Sequence, residues 1–351
     1  MAFKEGLNTQ TALIKLCDDI RLGIDESKVT IAVFFDFSKA FDSVNHKRLL
    51  QKLLSMNFSD NAIEWIRNVL NGVPQGSVLG PLLFNIALLN SEIEKIVKWC
   101  DLNCLKLNAS KTKAIIFGSR LKVVTVSSDS CINAENILVD NSVIPYVNTV
   151  KYLGVILDNN LSWEHQVLKT CNQAMKTLAQ LKINNEIFNE QLRVKLVTTL
   201  IFPIFDYCCA AFTNMSKKLL LRLQRKMNSC VRFIFKLSRY EHVTPYYNKL
   251  WWLKLSKRRD YFIACLFFKE IRLNYRQLFG PGLQYLNVSM RRGDIRQDYL
   301  RLPRANSNMY EQSFIIHGIR IWNSLPPGLT TTDSLPEFQN ASFSFFLADD
   351  N

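Results

Sequence analysis

The sequence predicts an α+β fold, and three observations carry the prediction. β-Branched and aromatic runs such as VTIAVFFDF (29–37) give way to helical spacing within a few residues. Apolar residues make up 48% of the chain and charged residues 21%, the balance of a chain that buries a core. Past Trp163 the pattern turns helical and strongly basic. The expected organisation is a mixed half up to about residue 160, then a basic helical half.

Taken in order, TQTALIKLCDDIRLGI (9–24) sets Ala12, Leu13, Leu16, Cys17 and Ile20 on one stripe. That spacing predicts an amphipathic helix with Thr9 or Thr11 near its cap, and it points Asp18 and Asp19 to solvent. VTIAVFFDF is a buried strand, SKAFDSVNHKRLLQKLLSMNF is helical, and NGVPQGSVLGP is a Gly/Pro-rich loop. LLFNIALLNSEIEKIVKWC returns to helical spacing. Short strands follow at AIIFG (114–118), KVVTV (122–126) and VKYLGVIL (150–157), with VDNSV as a hairpin corner. Helices are expected at WEHQVLKTCNQAMKTLAQL, NEQLRVKLVTTLIF and SKKLLLRLQRKMNSCVRFIFKL.

The charge is uneven. Residues 1–120 hold 15 Lys/Arg against 12 Asp/Glu, whereas residues 161–301 hold 25 against 9. A solvated surface mixes signs, so the second segment predicts a polyanionic partner. Nine cysteines without CxxC spacing and four scattered histidines predict neither a zinc site nor a disulfide framework or disulfide-linked partner. Reduced thiols fit an intracellular setting, cytoplasmic or nuclear. MAFKEGLNTQ has no apolar signal core, and LVTTLIFPIFDYCCAAF (196–212) is interrupted by Pro203 and Asp206, so no membrane span is expected.

Asp36 stands at the centre of an apolar strand. A carboxylate there is costly unless it is paired or holds a cation. A capped or salt-bridged strand Asp is the plain reading. Phe41, five residues on, reads by itself as core packing, and Lys111 as a solvated loop lysine.

In order along the chain, VFFDFSKAFDSVNH, GVPQGSVLGPLLFN, LNASKTKAIIFG and YLGVILD closely resemble the reverse transcriptase of non-LTR (LINE-like) retrotransposons. FKEGLNTQTAL resembles the finger segment before the palm, and SFIIHGIRIWNSLPPGL resembles the tail of many such elements. The resemblance implies a finger remnant at 1–30 and a truncated palm with a primer-grip-like hairpin at 31–160. A basic thumb-like helical region at 161–280 and a tail at 281–351 would follow. It implies RNA template, RNA–DNA duplex and deoxynucleotide triphosphates as partners, and two Mg ions as cofactors. Asp36 then matches the first metal-binding aspartate, with the Phe37 carbonyl as a further ligand. Phe41 matches the side chain that blocks a ribose 2′-hydroxyl. Gln75 and Gly76 match the turn under the templating base, Lys4 a triphosphate contact, and Lys111 a lysine near the leaving pyrophosphate. Tyr152, Leu153 and Gly154 match the hairpin that grips the primer end. Lys217, Lys218, Arg222, Arg225, Lys226, Arg232, Lys257, Arg258 and Arg259 match a nucleic-acid-holding thumb.

The sequence departs from the family at one place. The second acidic cluster, an aromatic followed by Ala-Asp-Asp on a hairpin after the PQG turn, is missing. NIALLNSEIEKIVK (85–98) contains no aspartate, and the first one after the turn is Asp101. Asp18–Asp19 lie upstream on a helix, and Asp349–Asp350 end the chain without a returning strand. Two hard cations spanning a reacting phosphate need carboxylates from both clusters. The expectation is a copy that holds its Mg poorly and does not polymerise; the alternative is a non-catalytic RNA/DNA-binding relic using the basic helical half.

Overall fold

Helix α1, Thr9–Asp25, starts where Asn8 caps it. Asn8 Oδ1 accepts the Thr11 N–H at 2.9 Å, and Thr11 Oγ1 accepts the Asn8 N–H at 2.8 Å. Two donors orphaned by the first turn are thus satisfied reciprocally. Thr11 is the partner in this box and Asn8 the cap. The computed structural model describes residues 8–35, 37–38, 46–55, 59–61, 63, 106–108, 110–118, 138–139, 142–183, 186–272, 283–286 and 299–350. The KVVTV strand, the PQG loop and the helical pattern after it fall outside the described residues.

Two compact units divide the chain. The first comprises Met1–Glu5 and Ile31–Val150, the second Gly6–Thr30 and Lys151–Asn351. The segment 1–30 is therefore split between them, and Gly6–Thr30 clusters with the helical half.

In the first unit, β1 (Thr30–Phe34) pairs with β4 (Lys113–Phe117), whose Ala114, Ile115 and Phe117 are buried. AIIFG thus covers one edge of the strand that leads to Asp36. On β4 the Ala114 N–H donates to Pro145 O at 3.1 Å and its carbonyl accepts the Val147 N–H at 2.8 Å, a short parallel bridge. β2 (Phe37–Ser38) runs antiparallel to β3 (Lys106–Leu107), with Phe37 opposite Leu107. Helix α2 spans His46–Ser55. β5 (Leu138–Val139) and β6 (Ser142–Val143) pair antiparallel, with Val139 opposite Ser142, on either side of the expected VDNSV corner, whose Asp140 and Asn141 lie outside the described residues.

VKYLGVIL is not one strand. It folds as a hairpin of β7 (Thr149–Tyr152) and β8 (Val155–Asp158), because Leu153 and Gly154 adopt φ of +46° and +82°. Two positive-φ residues in a two-residue loop match the right-handed twist of the flanking strands. Asp158, buried at the end of β8, accepts backbone N–H groups of Asn160, Ser162 and Trp163 at 2.9 to 3.1 Å and fixes the turn into the next helix.

The second unit is helical. α3 (Glu164–Ile183), α4 (Glu190–Leu200), α5 (Phe202–Asp206) and a 3₁₀ turn (Cys209–Ala211) precede α6 (Lys217–Phe235). α3, α4 and α6 share a core of Ala174, Leu178, Val197, Met227, Cys230 and Val231. Then come α7 (Thr244–Leu250) and α8 (Leu255–Arg272). The tail adds four helices that the sequence reading did not assign: α9 (Asn308–Glu311), α10 (Phe314–Ser324), α11 (Pro327–Thr330) and α12 (Leu335–Ala348). α10 and α12 pack on α8, with Phe338 stacked on Phe268 at 4.4 Å between centroids. Gly318 in the HGIRIW segment allows that approach, since a Cβ there would lie 1.9 Å from the buried Phe267 ring. Glu190–Ala211 is long and apolar enough to cross a membrane by length and composition alone. In the fold it is broken into α4, α5 and the 3₁₀ turn, with Val197, Ile201, Phe202 and Phe205 in the core.

Candidate nucleic-acid interface

The tip of the β7–β8 hairpin is held from below. Tyr207 Oη donates to Leu153 O at 2.7 Å, and Lys169 Nζ donates to Gly154 O. A Cβ on Gly154 would come within 3.3 Å of Tyr207 Oη, so glycine serves both the positive φ and the close approach. Burial, helped by the nearby Lys151 charge, lowers the Lys169 pKa, and burial raises that of the Tyr152 phenol. Tyr152, Leu153 and Gly154 therefore form a braced turn with its two tip carbonyls occupied. Sequence reasoning found the turn but not its braces, which lie 15 and 54 residues away from the carbonyls they bind and carry no local signal.

Helix α6 is capped by Ser216, whose Oγ accepts the Leu219 N–H. Its apolar side buries Leu219, Met227, Cys230, Val231 and Ile234. The opposite side carries Lys217, Lys218, Arg222 and Arg225 exposed and Lys226 half-buried. Among the described residues none of these five has an ion pair. Lys218, Arg222, Arg225 and Arg232 recur at i, i+4, i+7 and i+14 and so fall on one stripe.

The other four predicted cations have partners within the chain. Arg258 forks onto Asp206 at 2.6 and 2.7 Å and stacks over Phe202 and Phe262. Arg259 is buried and donates to Phe212 O at 3.1 Å. Lys257 pairs with Asp349, and Arg232 Nη2 donates to Glu241 O at 3.2 Å. For Arg258 and Arg259 the basic, aromatic-rich spelling of WWLKLSKRRDYF reflects packing of α8, since a bidentate pair over two rings leaves no free fork.

Lys111 is exposed in the turn after Asn108, whose carbonyl accepts its N–H at 3.1 Å. Phe37 lies in β2. Asp36, Phe41, Gln75, Gly76 and Lys4 lie outside the described residues. Among the described residues no three His, Cys, Asp or Glu side chains gather as metal ligands.

Both acidic doublets have structural roles instead. Asp18 does not point to solvent: its carboxylate accepts the N–H groups of Phe314 and Ile315 at 2.9 and 3.0 Å and pairs with the buried Arg21 at 2.9 Å. The first turn of α10 offers unpaired donors, and a helix packed beside them can supply the anion. Asp19 is exposed and pairs with Lys15 at 2.7 Å. Asp350 Oδ2 accepts the Lys254 N–H at 2.7 Å, which ties the end of the chain to the start of α8.

Residues 2–91 match the family model described as "Reverse transcriptase (RNA-dependent DNA polymerase)". The chain is reverse-transcriptase-like. This reverse-transcriptase-like chain is also similar to "Probable RNA-directed DNA polymerase from transposon BS" of Drosophila melanogaster, 25% identical over 312 residues. The match covers 71% of the chain and 33% of the relative, so the chain spans about a third of that protein's length.

Proposed function

We propose that this chain derives from the RNA-directed DNA polymerase of a non-LTR retrotransposon and retains nucleic-acid binding without polymerase chemistry. The four sequence motifs in family order support the descent. The unpaired cations of α6 support the binding, and they are the observation that carries it. Five positive side chains on one helix, with no carboxylate among them, form an electrostatic track for phosphates. The template and duplex would lie against this face, and the braced turn at Tyr152–Gly154 offers a fixed edge beside which a primer strand could run. The absent Asp-Asp cluster argues against catalysis. An alignment 312 positions long that covers only 71% of a 351-residue chain necessarily opens gaps in that chain, which fits a segment present in the relative and lacking here.

One experiment separates the parts. The purified chain is given a primed RNA template, deoxynucleotides and Mg²⁺ or Mn²⁺, and binding to the same template is titrated with salt. No extension is expected. Binding should weaken with salt at a log–log slope near −4 if about five phosphates are neutralised, and charge reversal at Arg222, Arg225 and Lys226 should flatten it. Extension that vanishes in Asp36→Ala would refute the loss of catalysis. A slope indifferent to the three reversals would refute the α6 interface.

A further inference from the structure

The cationic stripe of α6 does not end at Arg225. It continues through Ser229 and Arg232 to Lys236, which caps the helix in a left-handed conformation. There a concavity of about 580 Å³ opens, lined by Lys182, Ser229, Arg232, Lys236 and Arg239 together with the apolar Phe233 and Leu237. Lys182 comes from the last turn of α3 and Arg239 from the exposed turn beyond α6.

Cations at helix C-termini often do no more than balance the dipole. Each end carries about −0.5 elementary charge, so α3 and α6 together account for about one of the four cations here. Glu186 accounts for another, pairing with Lys236 at 3.3 Å. About two positive charges remain without a counter-charge. Lys182 and Arg239 have no ion pair among the described residues, and the Arg232 Nε is buried with no hydrogen-bond partner although Nη2 of the same side chain is bonded. A concave surface with surplus positive charge suits a phosphate. Next to Arg239, the ring of Tyr240 stands 90% exposed. A large ring held in water beside a phosphate site offers a stacking face, and only an unpaired base can take it.

We infer that this basin holds a phosphodiester of a single-stranded nucleic acid arriving along the α6 stripe, with Tyr240 stacking on an unpaired base beside it. The inference rests on the proposed nucleic-acid binding of the helical unit and adds to it a preference for single strands.

The test uses the full chain, a labelled uridine-rich single-stranded RNA and a duplex of equal charge, with affinities measured across a salt series. Three variants are compared: Lys182→Gln with Arg239→Gln, Tyr240→Ala, and the charge reversal of Arg222, Arg225 and Lys226. Arg232 is left intact because its bond to Glu241 O belongs to the fold. The double variant should weaken single-strand binding and shallow its salt slope by about 1.4, two cations at about 0.7 each. Tyr240→Ala should weaken the single strand roughly tenfold with the slope unchanged, leaving the duplex where it was. Unchanged single-strand affinity in both basin variants, or an equal loss for strand and duplex in Tyr240→Ala, would overturn the inference. If inorganic phosphate binds to the wild type and not to the double variant while Tyr240→Ala has no effect, the basin is a free-anion site and the inference also fails. Should only the α6 reversal weaken binding, the basin is wrong and the wider reading stands. Should neither the reversal nor the basin variants weaken it, the wider reading falls too.

Discussion

Asp18 and Asp19 are neighbours of the same type, yet the fold uses one and leaves the other in water. Helical geometry turns adjacent positions by about 100°, so one faces the seam with α10 while the other faces Lys15. Asp18 satisfies two backbone donors and the wholly buried Arg21, whose second amino group donates to Asn214 Oδ1 at 2.7 Å. Removing one partner of a buried ion pair leaves the other charge uncompensated, which costs about 3–5 kcal/mol. Asp18→Ala should therefore lose stability on that scale in urea denaturation, whereas Asp19→Ala should stay within about 0.5 kcal/mol. Equal, small effects would show that the Asp18–Arg21 contact contributes little to the fold.

At the scale of elements, α1 is bound to the tail at two points, one in mid-helix and one in its last turn. Asp18 caps α10, and Asp25 at the last turn accepts the N–H groups of Asn306 and Ser307 at 2.8 and 2.6 Å. Burial pushes the Asp25 carboxyl up, but the bonds from Ser307 and Asn306 outweigh it and hold the group below its ordinary 3.8. A lowered folded pKa contributes stability above the unfolded value and loses it as pH falls through the folded one. The melting temperature should accordingly drop as pH is taken below about 3.8, and Asp25→Asn should show a shallower drop over that range. An identical pH profile in the variant would mean that the Asp25 contacts do not stabilise the native state.

For the whole molecule, the consequence is that the helical unit is discontinuous in sequence. Gly6–Thr30 clusters with Lys151–Asn351. Leu13, Ile14, Cys17 and Ile20 of α1 are buried, and the helix packs on the Cys209–Ala211 turn, α9 and α10. A fragment from residue 151 onward lacks that face and exposes the apolar surface that α1 covers, at about 25 cal/mol per Å². Such a fragment should melt broadly or at lower temperature, and a peptide spanning residues 8–30 added in trans should restore a cooperative transition. A fragment as stable alone as with the peptide would show that α1 is an accessory.

Period and composition by themselves determined much of this protein. The 3.6-residue spacing of TQTALIKLC, WEHQVLKTC and SKKLLLRLQRKM sufficed for α1, α3 and α6, because each presents one continuous apolar stripe. β-Branched runs located β1 and β4, although VTIAVFFDF is not one buried strand: β1 ends at Phe34, β2 takes Phe37–Ser38, and Ile31 is exposed; local charge marked the exposed face of α6. Tertiary structure alone decided which charges remain available. Arg258, Arg259 and Asp18 look like surface ions in the sequence and become internal partners because segments 52, 47 and 296 residues apart meet. It also supplied the braces of the turn at Gly154, where Tyr207 Oη bonds Leu153 O and lies 3.3 Å from the place a Cβ would take on a residue of positive φ. Local spacing records which face of an element is apolar; which polar group satisfies a buried donor depends on contacts between distant residues, and those leave no periodic trace.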